Sequence, residues 1–275
     1  MKEVIEYFKN KAKDYDLVEG QTYWILSDKL LWENFKETVL NKLPSNFRFL
    51  DAGGGTGRWT IKILEEYPDA TGIIVDISKE MLNEARRKIE HKQLDKRIKI
   101  IENNLENLDN IKAEQFDLSF NFHNVLGFVE NPKKVIHELK RVTKKDGYIV
   151  SLVPNLYHNI FFNIFVNDMG LASEAIKTNK GRFTQNMPSM NMFTPNSIRN
   201  MYSEEGISTE LISGFPITIY PGMQETQIDG NSEHVQDILA NENVFNNIYE
   251  IERKLFKNSD IAARGNQIYI IGRKL

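Results

Sequence analysis

Residues 49–59, FLDAGGGTGRW, set Asp51 just ahead of glycines at positions 53, 54, 55 and 57. Glycine at this density lets a backbone turn sharply and bring its N–H groups against a ligand. A second carboxylate, Asp76, ends the apolar stretch TGIIVD 19 residues past Gly57. That is the spacing at which a strand-end carboxylate accepts both hydroxyls of a ribose. Two phosphate-binding patterns do not fit. The dinucleotide fingerprint G-x-G-x-x-G meets Arg58 at its last position when counted from Gly53, and Thr60 when counted from Gly55. No G-K-[ST] follows, so a P-loop is excluded as well. A carboxylate beside a diphosphate would be repelled, whereas Asp51 suits a cationic amino group. These residues describe recognition of a ribose, an adenine and an ammonium without a phosphate, which is the chemistry of S-adenosylmethionine.

Other residues could act on a second molecule. His123 follows the apolar run FDLSFNF and carries the side chain whose ordinary proton equilibrium lies nearest neutrality. It is the candidate to touch the cofactor and to accept a proton, or simply to shape the wall. Tyr15, Tyr23 and Tyr157, with Arg182 in a polar glycine-containing loop, are the candidates to hold a methyl acceptor. His137 and His158 read as solvated positions, and the scattered histidines have no paired spacing, so no metal is expected. The chain has no cysteine, which excludes disulfides, thiolate metal sites and covalent cysteine catalysis. A net charge of -3 gives no overall pull toward nucleic acid.

The elements that must position these residues follow from periodicity. Residues 1–45 read as a helical cap, with Leu26, Leu30, Leu31, Phe35 and Val39 at near-helical spacing. From residue 46 the texture alternates: FRFLDA, TGIIVDI, RIKIIENN, FDLSFNFH and GYIVSLVPN as strands, with helices between them. Ser78 is placed to cap one helix, and NPKKVIHELKRVTKKDG has proline near its start and glycine past its end. Residues 155–195 interrupt the rhythm as an aromatic and polar lid. Residues 196–275 resume it with the strands ISTELISGFPITIY and NQIYIIGRKL, and EHVQDILANENVFNNIYEIERKLF as one helix. The expectation is one α/β domain around a doubly wound, mostly parallel seven-stranded sheet, with residues 46–154 as the cofactor-binding core. No window of 18 uninterrupted apolar residues occurs and the N-terminus lacks a secretory pattern, so a cytoplasmic chain without membrane contact is expected.

LDAGGGTGRW followed by GIIVDISKEMLNEARRK, then NNLENL and FDLSFNFHNVLGFVENPKKVIHELKRVTKKDGYIV, resembles the class I S-adenosylmethionine-dependent methyltransferases over roughly residues 46–154. The resemblance implies a Rossmann-like fold with S-adenosylmethionine as cofactor and S-adenosylhomocysteine as product. It further implies Gly53, Gly54 and Gly55 against the methionine moiety, Asp51 near its ammonium, and Asp76 on the ribose. Ile77 would then pack on the adenine face, with Asn104 and Leu105 at the adenine edge. Aspartate is common at the position of Asn104, and an amide oxygen can accept the same bond from the adenine amine.

Within the superfamily, KLLWENF, DAGGGTG, FHNVLGFV, LVPNLYHNIFFN and EIERKL…IAARGNQIYIIGRK resemble the bacterial enzymes that methylate a carboxymethoxy group on tRNA wobble uridine. Ser27 and TNKGRFTQNMPSMN depart from that group. The acceptor is therefore read as a small molecule or modified natural product, with tRNA as the alternative. A binder without catalysis, of S-adenosylmethionine or of another nucleotide, is the alternative of another class. Recognition of tRNA predicts a basic rim built from Lys11, Lys13, Lys180 and Arg182. No N-P-P-Y-like tetrad follows the fourth strand, which disfavours methylation at adenine N6.

Overall fold

A computed structural model of the chain describes residues 1–220 and 233–275. Strands β1 (Arg48–Ala52), β2 (Thr71–Asp76), β3 (Ile98–Glu102), β4 (Phe116–Asn121), β5 (Thr143–Pro154), β6 (Ile207–Phe215) and β7 (Gln267–Lys274) form one seven-stranded sheet, ordered β3-β2-β1-β4-β5-β7-β6. The first five pair in parallel, and β7 lies antiparallel between β5 and β6. Eleven helices accompany it among the described residues. They are α1 (Lys2–Lys11), α2 (Thr22–Thr38), α3 (Arg58–Glu66), α4 (Lys79–His91), α5 (Val125–Phe128), α6 (Pro132–Val142), α7 (Leu156–Phe165), α8 (Met169–Thr178), α9 (Pro195–Glu204), α10 (Glu233–Ala240) and α11 (Glu242–Leu255). This is the Rossmann-like, mostly parallel sheet that the alternation predicts.

Alternation along each strand explains the two-sided core. Phe49, Phe120, Val150 and Leu152 turn to one face and pack with α2 and α3, through Leu30, Phe35 and Ile63. Leu50, Ala52, Val75 and Ile149 turn to the other and meet α6 and α9 through Val135, Leu139, Ile198 and Tyr202. Buried on both faces, the central strands are near-continuous apolar runs, as parallel strands must be. Ser78 caps α4 by accepting from the Met81 N–H at 3.4 Å, and Asn131 caps α6 by accepting from Lys134 at 3.2 Å.

Several boundaries depart from the periodicity. A 3₁₀ turn, Tyr15–Gly20, separates α1 from α2. Helix α6 ends at Val142 and the chain passes directly into β5, so Gly147 lies within a strand and does not terminate the helix. The apolar reading of ISTELISGFPITIY stops at Phe215, because Pro216 has no N–H to extend the ladder. The long terminal helix is two helices, broken where Asn241 caps α11 by accepting from the Val244 N–H at 3.2 Å. Within the 155–195 segment a two-residue ribbon, Lys180–Gly181 with Met190–Asn191, replaces the expected loop. Among the described residues no helix is long and apolar enough to cross a membrane.

The order of strands reverses between β1, which continues to β2, and β4, which continues to β5. Connections leave this point in opposite directions, and the crevice left at the C-terminal ends of the strands is where open α/β sheets bind ligands.

Candidate cofactor cleft

A cleft of about 880 Å³, counting the solvent at its mouth, opens at that reversal. The turn from β1 to α3 forms its floor. Gly53 has φ +80°, a conformation L side chains rarely adopt, and an added Cβ would come within 2.5 Å of Val125 Cγ2. At Gly54 the same atom would lie 2.7 Å from Asp51 Cγ. The glycines are therefore required both by the bend and by the side chains pressed beneath it. Gly57, at φ +74°, is the residue from which α3 starts.

Asp51 and Asp76 occupy neighbouring strand ends. Asp51 is 3% exposed and accepts a 2.7 Å hydrogen bond from Thr60 Oγ1. Burial raises its carboxyl to about 7, against the Thr60 bond that favours the anion, and the Asp76 charge adds to the rise. Asp76 accepts from the Gly55 N–H at 3.0 Å through Oδ2 and from the Ser78 N–H at 2.8 Å through Oδ1. Its carboxyl is also raised by burial, with those backbone donors pulling the other way. Ile77, Met81 and Leu105 line the wall next to it. Asn104 lines the wall too, and its Oδ1 accepts from the Glu106 N–H at 3.0 Å.

His123 sits at the far end with φ +53°, turning the chain after β4. Its ring stacks on Trp59 at 5.5 Å, and its Nε2 lies 2.7 Å from Arg58 Nη2. A guanidinium only donates, so Nε2 is the acceptor and the neutral ring carries its proton on Nδ1. Burial, then the Arg58 charge, hold the imidazole well below its ordinary value. The proton-accepting lone pair is thus occupied. Arg58 is itself held by Asp28, which accepts from Nη1 at 2.8 Å, with Glu19 3.4 Å from Nε. Burial pushes the Asp28 carboxyl up to about 6 although Arg58 opposes it.

All the residues expected to meet the cofactor line this one cleft: Asp51, Gly53, Gly54, Gly55, Asp76, Ile77, Asn104, Leu105 and His123. Tyr15 lines it too. The other expected acceptor contacts do not. Tyr23, in the first turn of α2, is fully buried, and its hydroxyl accepts from Asn266 Nδ2 at 2.7 Å. Tyr157 is 47% exposed on α7, its N–H spent on the cap residue Asn155. Arg182 turns back to the Gln185 carbonyl at 3.3 Å on the ribbon beside α8. Arg58, Trp59 and Asp28 are the residues that pattern reading passed over. Arg58 appeared only as the residue breaking a fingerprint, and Asp28 lies among the buried apolar positions of α2 with no pattern to mark it.

The floor suits S-adenosylmethionine on its own chemistry, since two carboxylates face a cleft with no phosphate-binding turn, as a cationic nucleoside requires. Comparison with known proteins agrees. Residues 49–147 match the family model described as a methyltransferase domain. An uncharacterised protein of Methanocaldococcus jannaschii is 35% identical over 143 residues, which span 52% of this chain and 58% of that protein. The tRNA 5-carboxymethoxyuridine methyltransferase of Escherichia coli is 25% identical over 165 residues, 60% of this chain and 62% of that one. The chain thus spans about three fifths of the length of these curated relatives. A solved S-adenosylmethionine-dependent methyltransferase of Thermotoga maritima superposes with a TM-score of 0.55 over 99% of this chain and all of that one, at 18% identity. Residues 49–147 thus match a methyltransferase domain, and the chain as a whole shares the fold of solved S-adenosylmethionine-dependent methyltransferases.

Proposed function

We propose that this chain transfers the methyl group of S-adenosylmethionine to an oxygen or nitrogen of a small molecule or modified natural product and releases S-adenosylhomocysteine. The carrying observation is the pair of carboxylates, Asp51 and Asp76, on adjacent strand ends flanking the glycine turn. In this reading Asp76 holds the ribose: each oxygen already accepts one backbone N–H and keeps a second lone-pair direction for a hydroxyl. Asp51 faces the ammonium, and Gly53, Gly54 and Gly55 let the backbone close on the methionine portion. Ile77 and Leu105 flank the adenine, with the Asn104 amide at its edge.

The bound cofactor supplies a sulfonium methyl that is already activated, so the chain contributes alignment and exclusion of water. His123 acts here as a wall held by Arg58 and not as a base, because its lone pair is engaged. Tyr15 borders the acceptor end. An acceptor that arrives as an anion or neutral amine needs no base.

The same geometry suits a carboxylate acceptor, which favours a second reading: methyl esterification of a carboxymethoxyuridine in tRNA, the activity named for the E. coli relative. Against it, Arg58 in the cleft lining and Lys88 on α4 are each paired with carboxylates. A phosphate backbone needs unpaired cations.

Titration calorimetry with S-adenosylmethionine, S-adenosylhomocysteine and NAD tests the cofactor assignment. Micromolar binding of both adenosyl ligands with NAD silent supports it, and binding of NAD alone overturns it. Release of S-adenosylhomocysteine is then followed with candidate amines, phenols, carboxylates and tRNA. Transfer to tRNA that weakens steeply with salt favours the second reading. Tight cofactor binding with no transfer to any acceptor favours a non-catalytic binder.

A further inference from the structure

One wall of the cleft comes from outside the sheet. Val4, Phe8 and Tyr15 line it, although no residue of α1 is fully buried. A helix of ten residues with so little apolar cover does not stand alone in water, so docking must hold it in place. Phe8 meets Phe128 edge-on at 5.1 Å and Tyr15 at 6.2 Å. The Met1 ammonium reaches Glu130 Oε1 at 3.2 Å, and the shorter polar ties meet at one side chain. Asp16 accepts from Thr56 Oγ1 of the glycine turn at 2.7 Å through Oδ1, and from Lys88 Nζ of α4 at 2.6 Å through Oδ2. Glu19 adds a weaker tie to Arg58 at 3.4 Å.

We propose that Asp16 is a positioning residue: a latch that docks residues 1–20 over the cofactor and sets Tyr15, its chain neighbour, into the cleft wall. This rests on the S-adenosylmethionine reading of the same cleft. One carboxylate joins three segments that surround the ligand, namely the strap, the glycine turn under the methionine portion, and α4 beside the ribose. The Asp16 and Lys88 side chains are 32% and 21% exposed, so water competes for the pair and the latch can open. With the latch shut, Val4, Phe8 and Tyr15 cover a ligand lying on Gly53–Gly55. When it opens, the cleft loses that wall while the sheet floor stays intact. The latch therefore acts on how long the ligand stays, more than on whether the floor recognises it.

The test is the release rate of S-adenosylhomocysteine from the full chain, read by displacement of isotope-labelled ligand. Asp16→Ala is expected to release it on the order of tenfold faster, with a melting temperature close to that of the unsubstituted chain, because the contact lies outside both cores. Asp16→Glu is expected to restore most of the residence time. Lys88→Met is expected to speed release and to add little on top of Asp16→Ala, since both remove the same pair. Hydrogen exchange of residues 2–20 should be faster in Asp16→Ala, and the difference should shrink when S-adenosylhomocysteine is bound. Release at the unsubstituted rate in Asp16→Ala, from a chain that binds the ligand, overturns the latch and leaves the cofactor reading standing. Absence of binding by the unsubstituted chain overturns both.

Discussion

The floor and the strap of the cleft are built in different ways. The floor, from Asp51 through Asp76 to His123, hangs on the C-terminal ends of β1, β2 and β4, whose backbones are bonded to one another and whose side chains are buried on both faces. The strap, residues 1–20, is held by ties to distant residues: Asp16 to Thr56 and Lys88, 40 and 72 residues away in sequence, Glu19 to Arg58, and the Met1 ammonium to Glu130. In the proposed reading, recognition of the nucleoside rests on the rigid region. Retention, on the proposed latch, rests on the detachable one, as expected where a ligand must enter and leave.

Changes in the floor should be costly. Gly53→Ala forces a Cβ into φ +80° and to 2.5 Å from Val125 Cγ2. It should lower stability by about 3 kcal/mol, from backbone strain and overpacking together. Urea unfolding measures this, and a loss below about 1 kcal/mol would mean that the turn relaxes freely. Asp76→Ala should weaken S-adenosylhomocysteine binding by about 100-fold, about 2.7 kcal/mol, with a near-native melting temperature. Calorimetry showing unchanged affinity would remove the ribose role.

Asp51 gives the floor a pH dependence. Its carboxyl is raised from 3.8 to about 7 in the folded chain, so protonation favours the fold. That contribution is complete below the unfolded value and is lost as pH rises through about 7. A cationic ligand favours the anion instead. Affinity for S-adenosylmethionine should therefore fall about tenfold between pH 7.5 and 6, with proton release seen in buffers of different ionisation enthalpy. Asp51→Asn should flatten that dependence and stabilise the ligand-free chain at pH 8.

His123 should leave no mark on turnover between pH 6 and 8, because its folded value lies well below 6.5 and Arg58 occupies Nε2. A rate limb near 6.5 that disappears in His123→Asn would restore it as a base. The smallest effect belongs to a segment that does not line the cleft: Phe165 is 70% exposed on α7, and Phe165→Ala should change cofactor affinity by less than about 0.5 kcal/mol.

The floor was legible because its logic is local. Asp51, the glycines and Asp76 belong to a strand-turn-helix-strand unit whose spacing and alternation are written in consecutive residues. The strap was half legible. Tyr15 was expected near the acceptor, but the 3₁₀ turn that carries it and the latch at Asp16 have no periodic signature. Tyr23 was misplaced because an aromatic on an apolar helix stripe looks the same whether it faces a cleft or, as here, Asn266 at the other end of the chain.

By itself, then, the amino-acid sequence determined the sheet, the glycine turn and the placing of two carboxylates beside it, on which the proposal of a cationic nucleoside rests. Backbone geometry and burial act between near neighbours there, so residue type and spacing suffice. Only the tertiary structure decided that His123 gives its lone pair to Arg58, that Arg58 answers to Asp28 and Glu19, and that Asp16 closes the strap on Thr56 and Lys88. These are charges brought together from distant segments, and their proton equilibria depend on burial that no local pattern encodes.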